Sequence, residues 1–145
     1  MSRHRHRGFT LVEVMIAVVI IAILASIAVP SYESYMIKTR RATAATCLLE
    51  ISQFLERFFT VNLQYDKDAA GTGITMPDPG SQECQKNLEG YYNFTSTVAP
   101  RTYTLQAVPI NRQTKDTQCA TLSIDEALRK SVTGIQSANP SACWK

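Results

Sequence analysis

Histidine is almost absent from this sequence, since its two histidines, His4 and His6, both lie in the first eight residues. Histidine is the side chain that most often activates a serine or cysteine nucleophile, so the chain beyond residue 8 lacks the usual Ser–His or Cys–His pair. There is no C-x-x-C pair typical of zinc sites and no EF-hand spacing of acidic residues. The sequence therefore predicts that the protein is not an enzyme and has no metal site and no cofactor.

A large excess of either charge is also missing. The formal net charge is +3, and three of the fifteen basic residues, Arg3, Arg5 and Arg7, lie in the first eight positions. Without them, twelve basic residues face twelve acidic ones, so the rest of the chain is formally neutral. A basic N-terminus followed by an apolar run is typical of a cytoplasmic leader. Nucleic-acid binding by this basic run is the less favoured alternative, because the run adjoins a segment of membrane length.

Polar residues are nearly absent from Val14 to Val29, where Ser26 is the single exception. Residues 9–29 form a stretch of 21 residues, about the length that spans a bilayer as a helix. Three explanations compete: a secretory signal cleaved near Ala28, a passive transmembrane anchor, and a filament subunit stored in the membrane.

Glu13 favours the third explanation. A carboxylate in a transmembrane segment costs on the order of 3 kcal/mol near the bilayer centre and less toward the edge, so it indicates a function and a partner. A signal peptide or a passive anchor gains nothing from such a group. The natural partner is a new positive charge, the α-amine of Phe9, which would form if the chain were cut after Gly8.

The run Gly8-Phe9-Thr10-Leu11-Val12-Glu13, after a short basic leader and before an apolar helix, resembles the class III signal of type IV prepilins. In that family a membrane-embedded prepilin peptidase cuts after the glycine and N-methylates the residue that follows it. The resemblance implies that Gly8 is the cleavage residue, Phe9 the methylated N-terminus and Glu13 the glutamate used in assembly. Pro30 falls where many pilins have a helix-breaking proline.

The resemblance predicts three parts of the chain: a cleaved leader 1–8, a transmembrane and filament-core helix 9–30, and a globular head 31–145. Pro30 has a physical interpretation as well, because proline lacks a backbone donor and clashes with the preceding turn. We expect a kink or local melting there. A helix end at the membrane face is the alternative, against which Tyr32 and Tyr35 resume a helical pattern.

Residues 31–59 contain no glycine or proline, which predicts that the helix continues to about Phe59. Five apolar residues in this stretch recur at spacings of three and four, so they share one helix face and are expected to form core: Ala44, Leu48, Ile51, Leu55 and Phe58. Residues 60–90 follow as a long connection rich in glycine and proline. Its carboxylates Asp66, Asp68 and Asp78 are best explained as solvated surface.

Strands are expected after this connection, at 91–98, 102–110 and 119–124, because these segments are rich in aromatic and β-branched residues or alternate in polarity. Residues 125–130 could form a short helix by propensity, but a strand followed by a turn is preferred. The expected fold class is α+β. In it, a long N-terminal helical spine packs on an antiparallel sheet, with a disulfide region at the C-terminus, as in the type IV pilin fold.

Four cysteines, Cys47, Cys84, Cys119 and Cys143, all lie beyond the apolar run. An even number in an exported domain indicates two disulfides, with three possible pairings. We favour Cys47–Cys84, which would tether the long connection to the helix, together with Cys119–Cys143. By lowering the entropy of the unfolded chain, each disulfide is expected to stabilise the fold by about 3.5–4 kcal/mol. A C-terminal disulfide region of this kind resembles the D-region of type IV pilins.

Residues 102–125 and the final Cys-Trp pair resemble PilE-type minor pilins and their DNA-uptake relatives, while Cys47, Cys84 and residues 125–130 depart from that pattern. The resemblance implies a structural subunit of a type IV pilus, and more narrowly a minor pilin. It would be stored in the inner membrane and assembled into an extracellular filament for twitching motility, adhesion or DNA uptake. The expected partners are other pilin subunits, the prepilin peptidase and the inner-membrane assembly machinery.

Two alternative functions remain open: a DNA-binding competence pilin and a type II secretion pseudopilin, which shares the N-terminal signal. DNA binding receives slender support from charge. Five basic residues follow residue 111, against three acidic ones, which leaves a local excess of two for phosphate contacts. The basic residues are Arg112, Lys115, Arg129, Lys130 and Lys145, and the acidic residues are Asp116, Asp125 and Glu126.

Overall fold

The computed structural model describes residues 9–73 and 83–144. The chain divides into two compact units, Met1–Met36 and Ile37–Lys145, and each is described here by itself. Several residues singled out above lie outside the described ones: the leader with Gly8, the loop carboxylate Asp78, and Lys145.

The first helix, α1, spans Leu11–Asn62. It begins after Thr10, whose hydroxyl accepts a hydrogen bond from the Glu13 N–H at 3.3 Å and so caps the first turn. It ends where Leu63 adopts a φ of 57°. In that left-handed conformation the Leu63 N–H bonds the carbonyl of Phe59 at 2.8 Å, which closes the last turn. The helix therefore extends about one turn beyond the predicted end at Phe59.

Local melting at Pro30 was predicted and does not occur, and the alternative of a helix end there is also wrong, while a kink at Pro30 stays a prediction. Pro30 lies inside α1, and helical backbone continues on both sides of it. The proline removes one backbone donor, the one that would bond the carbonyl of Ser26. The turns on either side keep their hydrogen bonds, and they contain helix-compatible residues with no glycine. The lost bond therefore remains a local defect in a long helix.

The head contains a short helix and a four-stranded antiparallel sheet in the order β1-β2-β3-β4. The helix α2 is Glu83–Lys86, and the strands are β1 Tyr92–Val98, β2 Tyr103–Pro109, β3 Leu122–Asp125 and β4 Lys130–Val132. Short 3-10 helices at Asn111–Lys115, Ile135–Ala138 and Pro140–Ala142 complete the C-terminal part.

The first two strands match their predicted ranges to within a residue, whereas the third and fourth do not. The third strand was expected at 119–124 but starts at Leu122, because Ala120 has a φ of 52° that interrupts extended backbone. Residues 125–130 were expected to be a strand and a turn, and the turn is present. Leu128, at φ 56°, reverses the chain and β4 follows from Lys130 as an unexpected strand.

The core of the head lies between one face of α1 and one face of the sheet. Ala44, Leu48, Ile51 and Leu55 are buried, as the helical spacing predicted, while Phe58 is half-buried. From the sheet, the buried residues are Tyr92, Phe94, Tyr103, Leu105, Ala107, Leu122, Ile124 and Val132. The alternation of Tyr103, Leu105 and Ala107 along β2 therefore marks its core face.

Two disulfides join segments that are distant in sequence. Cys47 in α1 is bonded to Cys84 in α2, with a Cα–Cα distance of 5.7 Å. Cys119, just before β3, is bonded to Cys143, with a Cα–Cα distance of 5.8 Å. This is the pairing favoured above. The first bond attaches α2 to the helix, and the second holds the C-terminal segment against the start of β3.

Two chain segments cross at Gly134 with no space for a side chain. A Cβ atom added to Gly134 would lie 2.4 Å from the carbonyl oxygen of Gln118. The Gly134 N–H donates to the carbonyl of Cys119 at 3.1 Å, which fixes the crossing beside the second disulfide. The close approach of the two backbones therefore requires glycine at this position.

Candidate functional site: an apolar helix surface and a basic C-terminal region

The N-terminal part of α1 presents an exposed apolar surface. Every large hydrophobic residue from Phe9 to Val29 is more than half exposed, from 51% at Val14 to 81% at Phe9. By length and composition, α1 is long and apolar enough to cross a membrane. Soluble monomers rarely expose a contiguous apolar surface of this size to water, because its exposure is unfavourable. Lipid or another protein must cover it.

Glu13 lies in the first turn of α1, within this apolar surface. The positive end of the helix dipole is nearby and favours a carboxylate at that position. No side-chain partner for Glu13 is found within residues 9–73 and 83–144. Phe9 begins the described part of the chain, and Gly8 precedes it. The structure therefore places Glu13 one helical turn from Phe9.

A buried polar network fixes the C-terminal half of α1 to the head, and sequence reasoning missed it. Arg41 donates from one guanidinium nitrogen to both carboxylate oxygens of Asp116, at 2.9 and 3.0 Å. The Asp116 side chain is only 2% exposed. Beside this pair, the side-chain amide of Gln113 donates to the carbonyl of Ile37 and to the hydroxyl of Tyr92, both at 3.0 Å. Burial raises the pKa of Tyr92 to about 12.

A second network joins the far end of α1 to the sheet and to the loop after the helix. One carboxylate oxygen of Glu56 accepts hydrogen bonds from the hydroxyls of Tyr65 and Tyr103, at 3.0 and 3.1 Å. The two phenol rings meet edge to face, with 4.9 Å between centroids. Burial, followed by the hydrogen bond to Glu56, raises the pKa of Tyr65 to about 12. These contacts tie down part of the long connection, which therefore starts from a fixed point.

The charge of the C-terminal region is more positive at the surface than the residue count predicted. Of its three acidic residues, Asp116 is buried and paired with Arg41, which lies in α1. Asp125 is bonded to Arg129 at 2.7 Å. Glu126 is thus the one acidic side chain of the three that is neither buried nor ion-paired in the described part of the chain. The described basic residues are all exposed: Arg112, Lys115, Arg129 and Lys130.

An aromatic side chain accompanies these cations. The ammonium group of Lys130 lies 5.4 Å from the ring centroid of Trp144, a distance that allows a cation–π interaction. The indole N–H of Trp144 donates to the carbonyl of Ser131 at 3.4 Å. The Cys119–Cys143 disulfide ends one residue before Trp144 and positions this pair. The region can therefore offer fixed positive charge to an anionic partner.

Comparison with known proteins identifies both parts of the chain. Residues 3–29 match the family model described as "Prokaryotic N-terminal methylation motif". Residues 30–123, more than half of the chain, match the model described as "Type IV minor pilin ComP, DNA uptake sequence receptor". The boundary between the two matches lies at Pro30.

Individual relatives agree with these family matches. The chain is 30% identical over 124 residues to the type IV major fimbrial protein FimA of Dichelobacter nodosus, covering 68% of this chain and 80% of that protein. It is also 30% identical over 92 residues to the type II secretion system core protein G of Pectobacterium carotovorum, covering 62% and 59% respectively. The solved structure of a type IV pilin from Shewanella oneidensis matches with a TM-score of 0.50 and 27% identity, covering 75% of this chain and 98% of that one.

These matches agree with the fold, which has a long N-terminal helix, a four-stranded antiparallel sheet and two disulfides. Pilins are structural subunits that assemble with other pilin subunits, so the prediction that the protein is not an enzyme is confirmed by its family. The predicted likeness to type II secretion pseudopilins is also present, in a relative that matches a smaller part of the chain. The chain belongs to the type IV minor pilin ComP family.

Proposed function

We propose that the chain is made as a prepilin, is stored in the inner membrane by the helix 9–30, and is then transferred into an extracellular pilus. The observation that supports this most is the exposed apolar surface between Phe9 and Val29, which contains the single carboxylate Glu13. A prepilin peptidase would remove residues 1–8, and the inner-membrane assembly machinery would extract the subunit. The globular head 31–145 would remain outside the membrane throughout.

The apolar surface serves two successive environments in this proposal. Lipid covers it during storage, and the helices of neighbouring subunits cover it in the filament. Both environments are apolar, so transfer between them changes little hydrophobic free energy. The carboxylate of Glu13 distinguishes them, because a neighbouring subunit can supply a cationic N-terminus and lipid cannot. Glu13 thus favours the filament over the membrane when Phe9 of a neighbour carries a free amine.

We expect the mature protein to begin at Phe9 with an N-methyl group on its amine. Intact mass and N-terminal peptide mass spectrometry of sheared filaments measure this directly. In a Gly8→Val variant, whose cleavage site is blocked by a bulky side chain, the leader should stay attached and the protein should stay in the membrane fraction. A mature start at Val29, or filaments that retain residues 1–8, would refute the assignment.

A role in DNA uptake is the second proposal, and the description of the matching family as a DNA uptake sequence receptor supports it. The exposed cations of the C-terminal region supply the chemistry, because lysine and arginine bind phosphate and release counterions from the duplex. Arg112 and Lys130 are the best candidates, since neither forms an ion pair within the described part of the chain. Because the Asp116 carboxylate is buried and paired with Arg41, it does not repel phosphate at the surface of this region.

Replacing Arg112 or Lys130 by glutamine should weaken binding of the full-length protein to duplex DNA. Each substitution should also reduce the magnitude of the slope of log K against log salt concentration by about 1. Arg57→Gln is the matched control, because Arg57 is an exposed cation on α1 and its loss should have little effect. Fluorescence anisotropy between 50 and 200 mM salt, with the protein in detergent, measures all three. Equal effects of the three substitutions would argue against a C-terminal DNA site.

A further inference from the structure

One edge of the sheet has unpaired backbone groups. Among the strands of the described residues, β1 is at the edge of the sheet and pairs with β2 alone. The carbonyl of Tyr91 accepts from the N–H of Ile110 at 2.9 Å, and the N–H of Ala99 donates to the carbonyl of Thr102 at 2.8 Å. In an antiparallel pair such bonded positions recur at every second residue. The residues with odd numbers from 91 to 99 therefore bond β2, and those between them face outward.

The outward-facing positions differ in what covers them. At the start of the strand, the N–H of Tyr92 donates to the carbonyl of Leu88 at 3.1 Å, so the turn after α2 covers it. Farther along, Phe94, Ser96 and Val98 have no bond from their outward N–H and C=O groups to any described residue. With respect to residues 9–73 and 83–144, these three residues form an open sheet edge, on which another backbone can pair.

A cleft lies beside the start of this edge. Its volume is about 630 Å³, within the usual range for a binding site. One wall comes from the α2 segment and the other from β1, and it is lined by Gln85, Lys86, Glu89, Gly90, Tyr92, Asn93, Phe94 and Ile110. The Cys47–Cys84 disulfide fixes the first wall, because Cys84 adjoins Gln85.

Gln85 is the unexplained group in this cleft. The residue is buried, with 6% of its surface exposed, and its Oε1 atom accepts no hydrogen bond within the described part of the chain. A buried amide end without a partner is unfavourable, so proteins rarely leave one unless something else satisfies it. An extended backbone offers both a donor and an acceptor. It can therefore satisfy the Gln85 amide in either orientation of the side chain.

We propose that this cleft and the adjoining edge of β1 receive an extended backbone segment of a neighbouring pilin subunit, which adds to the sheet as a fifth strand. The proposal rests on the filament assembly proposed above, since its partner is a filament neighbour. Three features select a polypeptide as the occupant: alternating outward N–H and C=O groups, the unpaired Gln85 amide, and a rim that carries one cation, Lys86, and one anion, Glu89.

The same features disfavour nucleic acid. The carboxylate of Glu89 on the rim would repel a phosphate group. The rim has no net charge, so the neighbouring segment need not be charged. The site is thus distinct in chemistry from the basic C-terminal region.

Proline at residue 96 tests the open edge. Ser96→Pro removes an outward N–H and adds a ring at the edge but leaves the hydrogen bonds to β2 in place, which edge strands tolerate. We expect normal cleavage, both disulfides and membrane localisation, with incorporation into filaments at least fivefold lower than for the unmodified chain. Ser96→Ala, which keeps the N–H, should be incorporated normally. Equal incorporation of the two variants would overturn the proposal.

Gln85→Met tests the buried amide, because methionine has a similar size and no hydrogen-bonding group. The free subunit in detergent should gain thermal stability, since an unpaired polar group is removed, while incorporation into filaments should fall. A residue with a purely structural role would change the melting temperature and incorporation in the same direction, and that result would also overturn the proposal.

Photo-crosslinking identifies the occupant. With p-benzoylphenylalanine at position 96 of the full chain, irradiated filaments should yield an adduct to another pilin subunit. The same probe at the exposed Thr114 should not give that adduct. Filaments that contain the chain but give no adduct, or an adduct to DNA, would overturn strand addition and leave filament assembly intact. Absence of the chain from all filaments would overturn the proposed function as well.

Discussion

Replacing Glu13 by glutamine is expected to lower incorporation of the chain into filaments about a hundredfold, while membrane insertion and cleavage after Gly8 continue as before. In the proposed filament, Glu13 is the counter-ion of the Phe9 amine of a neighbouring subunit. Removal of one member of a buried ion pair costs about 3–5 kcal/mol, because the other charge is left unpaired. A factor of ten corresponds to about 1.4 kcal/mol, so even the lower figure gives the expected loss.

The measurement is quantitative immunoblotting of membrane and sheared-filament fractions. Glu13→Leu should behave like Glu13→Gln, which separates loss of charge from change in polarity. Glu50→Gln is the control, since Glu50 is an exposed carboxylate in the same helix but within the head, and it should be incorporated normally. Normal incorporation of Glu13→Gln would show that charge pairing does not drive assembly here, although the family assignment would stand.

Replacing Arg41 by methionine is expected to destabilise the head by about 3–5 kcal/mol, because it leaves the carboxylate of Asp116 buried without its cation. For a domain of this size the melting temperature should fall by roughly 10 °C or more. Arg129→Met is the matched control. It removes the same kind of side chain from an ion pair whose arginine side chain is 75% exposed. Such a pair is worth about 0–1 kcal/mol.

Thermal and urea unfolding of the full-length protein in detergent would compare the two variants. The double variant Arg41→Met with Asp116→Leu should recover most of the lost stability, because it removes the buried charge together with its partner. Similar small losses for Arg41→Met and Arg129→Met would mean that Asp116 reaches water in solution, contrary to its burial in the structure.

The sequence was informative wherever local pattern and chain chemistry coincide. The absence of glycine and proline from residues 31–59 predicted a continuous helix, and the spacing of Leu48 and Leu55 predicted its buried face. The aromatic and β-branched residues of 91–98 and 102–110 predicted the strands β1 and β2. The motif from Gly8 to Glu13 predicted the family, because few other proteins place a carboxylate at that point of an apolar helix.

The failures have physical causes that local pattern does not contain. Pro30 is tolerated inside α1 because a long helix survives one missing hydrogen bond, which residue preference alone does not reveal. Strand β4 has three residues, of which two are exposed, so it leaves almost no hydrophobic signal. Its existence depends on the turn at Leu128.

The buried polar contacts could not be predicted from the sequence for a different reason. Arg41 and Asp116 are 75 residues apart in sequence, and nothing near either residue indicates the other. The same is true of the Glu56 carboxylate and the Tyr103 hydroxyl, which are 47 residues apart. The count of charged residues in the C-terminal region was correct, but because Asp116 is buried the surface of this region is more positive than the count predicted.

The crossing at Gly134 limits how this protein can diversify. In the C-terminal loop between Cys119 and Cys143, the residues Leu122, Ile124 and Val132 belong to the core, whereas the surface residues can change over generations without loss of the fold. Gly134 is the exception, since any mutation there drives a side chain into the backbone of Gln118. Lineages could therefore acquire new recognition specificities through the rest of the loop, provided that each descendant inherits this one glycine.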